Sequence, residues 1–207
     1  MTRPTLFLVV LTLAGCGLKR VPGDILTKLP YEAKIELLEA ENELALAVDR
    51  LDEARAEVAR AVEQIRRGKD RHSAAKSEVR AATDDASREV AELAVTEADK
   101  RVEWLRAKQK LNVLEQDLAE KNLVCAEARY ELARLTAARK AKLEGSEAID
   151  PARFEEQLKA CEAKYAEMRE EAKTKGTEAE AVRADWDQAR ATLAKKTFDA
   201  RASPYVE

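Results

Sequence analysis

Aromatic residues are scarce: they make up 4% of the 207-residue chain, which also has only 6 Gly, 5 Pro, 3 Cys and a single His. A sheet draws on β-branched and aromatic residues bounded by turn residues, so strands are not expected. One His without a partner His, Cys or spaced carboxylate makes no metal site. There is no phosphate loop, dinucleotide glycine pattern or paired-His zinc motif. No apolar run approaches the about 20 residues that cross a bilayer. The 37 basic residues are outnumbered by 40 acidic ones, which leaves no basic footprint for nucleic acid. What is abundant is Ala, with 39 copies, together with Glu, Lys, Leu and Arg; 37% of the chain is charged. That composition specifies an all-α, coiled-coil protein. Catalytic carboxylates need a concave pocket that shifts their pKa, and thin helices offer none. No enzyme activity, cofactor or small-molecule substrate is therefore expected.

The N-terminus reads as an address. Arg3 precedes an apolar run, Leu6 to Ala14, of signal-peptide length. The run ends in Leu13-Ala14-Gly15-Cys16, which resembles the lipobox of bacterial lipoproteins. The resemblance implies removal of residues 1–15 by cleavage between Gly15 and Cys16. It also implies a diacylglycerol on the Cys16 thiol and acylation of the new amine with chains such as palmitate. Several chains together anchor firmly where one does not. Gly17, in place of Asp, implies an outer-membrane location facing the periplasm. Residues 16–30 hold two Pro and two Gly and are expected to form a flexible tether, reaching about 20 Å as a coil.

The helical period starts at Tyr31. Leu37, Leu44, Leu51, Val58, Ile65, His72 and Val79 recur every seven residues, with Ala40, Ala47, Ala54, Ala61, Gly68, Ala75 and Ala82 at the companion position. This narrow seam of large and small residues is expected to pair with another chain, either an envelope protein or a second copy. After Leu93 the phase slips, and a second track runs Trp104, Leu111, Leu118, Cys125, Leu132. The pattern favours one helix over residues 31–144. A break at 66–72, around Gly68, is the alternative and would give a three-helix bundle. A turn at 145–150 follows, with Asp150 as N-cap and Pro151 in the first helical position. The returning helix covers 151–203, before a tail of 204–207, and carries Phe154, Leu158, Cys161, Tyr165 and Trp186 on its inner face.

The expected hairpin core is thus Trp104, Leu111, Leu118, Leu132, Phe154, Leu158, Tyr165 and Trp186. A symmetric turn makes the numbers of facing residues add to about 295, which sets Cys125 and Cys161 about 13 Å apart along the axis. That is beyond disulfide range, so Cys125 and Cys161 are expected to pack as small, buried apolar residues, with an intermolecular bond through Cys125 as the alternative. The function that follows is a lipid-anchored envelope spacer, tether or assembly subunit. The alternative is a periplasmic holdase or adaptor gripping clients with the hairpin tip near 140–155.

Overall fold

The structure, a computed structural model, describes residues 18–197. The leader, Cys16 and the 204–207 tail lie outside them. The described chain is all-α, as its composition requires, with no strand among these residues. Two short helices, α1 (Gly23–Leu26) and α2 (Tyr31–Glu36), precede three long ones: α3 (Leu38–Ala81), α4 (Asp85–Lys140) and α5 (Ala152–Thr197). α4 is central. It packs antiparallel against α3 on one side and α5 on the other, with no comparable packing between α3 and α5.

The continuous helix over 31–144 is corrected: the chain reverses at Ala82-Thr83-Asp84. Ala82 turns extended (φ −64°, ψ 126°), and Asp84 caps the next helix by accepting the Ser87 N–H at 2.8 Å. The heptad phase runs through this point and hides it, because a seven-residue repeat reports side-chain facing and not backbone continuity. The alternative break at 66–72 is corrected as well. Gly68 sits inside α3, buried against α4. A Cβ there would stand 3.0 Å from Leu105 Cδ1 and 3.2 Å from Val102 Cγ2. Its smallness serves close helix approach, not a turn.

The reversal gives the Leu/Ala seam a partner within its own chain. Leu37, Ala47, Leu51, Ala61 and Ile65 are buried, and Ala40, Leu44, Ala54 and Val58 half-buried. Against the expectation of a seam held open for another chain, this stripe meets α4. Cross-links mark the register. The Asn112 side chain donates to the Glu57 carbonyl at 3.2 Å, and Arg129 donates to Glu43 at 2.9 Å.

The α4–α5 connection differs from the symmetric turn. α4 stops at Lys140, and Lys142 (φ 52°) and Gly145 (φ 85°) turn left-handed. A 3₁₀ turn follows at Ser146–Ala148. The Arg139 guanidinium gathers the carbonyls of Ser146, Glu147 and Ile149, which folds the loop back along α4. Asp150 accepts the Ala152 N–H at 3.1 Å, so the capping reading of Asp150 holds.

Residues 18–30 are not the flexible tether expected of their Pro and Gly content. Val21, Ile25 and Leu29 are buried, and with Ala33 and Leu37 they close a core with Leu135, Ala137, Ala138 and Phe154. The apolar spacing 21-25-29-33-37 repeats every four residues, which is the signal that the irregular composition obscured.

Candidate interaction surfaces

The α4–α5 hairpin core is built as a line of inward side chains. Phe154 and Trp186 are buried, while Trp104, Leu111, Leu118, Leu132, Leu158 and Tyr165 are half-buried. The two indoles stack with centroids 4.7 Å apart and 7° between planes. Trp186 donates its ring N–H to the buried Glu97 at 2.6 Å. Arg101 and Arg190 approach the Trp186 ring at 5.5 and 5.8 Å, and Lys108 approaches Trp104 at 5.7 Å, within cation–π range. Both tryptophans therefore act as core anchors.

Cys125 and Cys161 form a disulfide within the chain, with Cα atoms 5.5 Å apart. This corrects both the expectation of two unbonded buried cysteines and the alternative of an intermolecular bond through Cys125. The folded-back loop makes facing numbers add to 286 at this bond, nine below the symmetric 295. Nine residues is the offset that had separated the two sulfurs.

Two kinds of groove flank α4. One cleft, of about 600 Å³, lies between α4 and α5 and is floored by Ala107, Leu111, Leu114 and Val182, with Lys110 and Lys175 among its charged residues. The other side carries clefts where α3 and α5 both border α4. Glu57 and Glu115 line the two clefts there, of about 320 and 380 Å³. Burial and the neighbouring Glu57 charge raise the Glu115 pKa, against a smaller pull downward from Lys108. Arg129 straddles this side, paired with Glu43 on α3 and Glu162 on α5.

Polar pairs elsewhere follow helix spacing. Arg66 and Arg67 both bond Glu63 and hold its carboxyl at a pKa of about 2. His72 stands 3.8 Å from Asp99, across the α3–α4 interface. Lys196 reaches Glu89 at 2.7 Å and ties the end of α5 to the start of α4. No group of metal-ligating side chains occurs among the described residues, and none of their helices is long and apolar enough to cross a membrane.

Sequence reasoning missed the most consequential polar residue. Glu131 is buried; it accepts the Val21 N–H at 2.8 Å with one oxygen and the Arg134 guanidinium at 2.6 Å with the other. Beside it, Gln157 on α5 accepts the Lys19 N–H at 2.9 Å. Nothing in the local sequence separates Glu131 from the many solvated glutamates. The hairpin tip, named above as a client-gripping surface, is already in contact with the chain's own N-terminal segment. Leu143 and Ile149 pack on the core there, and the ideal Cβ position at Gly145 lies 3.4 Å from Ile25 Cδ1. No protein-family model, curated protein or solved structure matches the chain.

Proposed function

We propose that the protein is a lipid-anchored, non-catalytic component of the bacterial cell envelope, held at the outer membrane through Cys16 and acting as a spacer or assembly subunit. The observation that carries this reading is the polarity of the molecule. The segment that follows Cys16 is built into one end of the helices, beside Glu131 and Gln157. From Glu131 to the start of α4 at Asp85, 46 residues of helix extend for about 70 Å. A lipid at one end and a rod of this length fit a device that sets a distance or presents a surface away from the membrane. The rod's seams are filled internally, so partners would meet its outer faces and grooves.

The test is the mass of the protein extracted from membranes, with fractionation of wild type and Cys16→Ala. Lipidated wild type in the membrane fraction and a soluble, unprocessed or unanchored variant are expected. An unmodified Cys16 thiol, or identical fractionation of the two proteins, removes the anchoring reading. Cross-linking in whole envelopes then identifies what the far end touches; recovery of free monomer alone would count against the spacer role.

A further inference from the structure

We propose that the anchored end of the helices rests directly on the lipid headgroups, with no tether between protein and membrane. This rests on the Cys16 reading above and specifies the surface through which the anchored protein meets its bilayer. The argument is one of reach. Lys19 and Val21 are fixed through their backbone N–H groups to Gln157 and Glu131, and Leu18 is half-buried. Only two residue steps separate Leu18 from Cys16, which span about 7 Å when fully extended.

The attachment point is also set back from the end of the rod. Glu131 lies nine residues before the last residue of α4, Lys140, or about 13 Å up the helix. A 7 Å leash cannot lift that end clear of a surface in which Cys16 is embedded. The headgroup layer of one leaflet is only about 6 Å thick, so the end must enter it or lie against it. The residues there suit the interface. Tyr31, Ile35 and Leu38 are 74%, 48% and 51% exposed, and Lys140 pairs with Glu36 at the same level. Aromatic side chains favour the headgroup boundary, and lysine stems reach from apolar surface to water.

The experiment is lysine modification by a water-soluble reagent, read by mass spectrometry. It compares full-length lipidated protein in phospholipid vesicles with the Cys16→Ala protein free in solution. Modification of Lys19, Lys28 and Lys142 should fall severalfold in the vesicles, while Lys69 and Lys76, far along α3, keep their free rates. A ten-residue Gly/Ser insertion between Gly17 and Leu18, with a coil reach of about 17 Å, should restore modification. Lys19 and Lys28 reacting at the free rate in vesicle-bound protein would overturn the proposal. So would protection that is equal at Lys76, which means a rod lying flat, or protection that ignores the insertion. A Cys16 without lipid would instead show as the wrong mass before any labelling, and that outcome removes the anchoring reading alone.

Discussion

One carboxylate, Glu131, holds two parts of the molecule. Its oxygens bind the Val21 N–H and Arg134, and both it and Val21 are buried. Removing it leaves a backbone donor without its acceptor, which costs about 1–3 kcal/mol. Glu131→Ala should lower the unfolding free energy by that amount, read as a lower urea midpoint, and expose the Arg20–Val21 bond to trypsin while the long helices keep their circular dichroism. Gly68 gives a second residue-level test. Helix propensity alone favours replacing a mid-helix Gly by about 1 kcal/mol. Here the added Cβ would meet Leu105 Cδ1 at 3.0 Å, so a larger side chain must push α3 from α4. Gly68→Leu should destabilise by about 1–3 kcal/mol through overpacking, read as a lower denaturant midpoint. A stabilised variant would mean that the helices do not meet at this point.

At the scale of elements, the reversal at 82–84 depends on the Asp84 cap. Asp84 accepts the Ser87 N–H and hydroxyl at 2.8 Å each. These bonds hold its carboxyl below the ordinary aspartate range, the backbone bond contributing most. A depressed carboxyl stabilises the fold above its unfolded pKa and loses that contribution as pH falls through the folded value. Acid below the ordinary aspartate range should therefore loosen the start of α4 before the rest of that helix. Hydrogen exchange over 83–90 should rise relative to 120–135, and Asp84→Ala should abolish the pH-dependent part of that rise. Asp84 with Ser87 three residues on carries a capping signal, but the sequence reading missed it, because apolar facing continues through Ala82 and Leu93. The helical class, the α5 face and the Asp150 cap were read correctly because local spacing and turn chemistry fix them. The pairing of α3 was not, since it depends on one capped reversal in a run of more than a hundred residues.

For the whole molecule, the register of α4 on α5 decides how the chain is cross-linked. Spacing along each helix identified Cys125 and Cys161 as inward residues, but their pairing depends on how far the 141–151 loop folds back. That fold is made by Arg139 gathering three carbonyls, an arrangement with no periodic signature. With the bond formed, 36 residues separate its two ends. In the chain-entropy model, closing a loop of that length in the unfolded state stabilises the native one by about 4 kcal/mol. Cys125→Ser with Cys161→Ser should therefore lower stability by up to about 4 kcal/mol while helix content at room temperature stays near wild type. On a non-reducing gel the wild-type chain should run as a monomer, faster than its reduced form. A ladder of disulfide-linked dimers would reject the intrachain bond and with it the nine-residue shift of the hairpin. The Trp104–Trp186 stack gives an independent reading of the same register. If reduction slides α5 along α4, the near-ultraviolet exciton signal of the stacked indoles should fade together with the disulfide. If the loop and core alone set the register, that signal should survive reduction and disappear only at global unfolding. Survival is the expected result, because Phe154 and Leu135 are buried beside the loop and Lys196–Glu89 pins the far end, so both ends of the hairpin are fixed without the sulfurs.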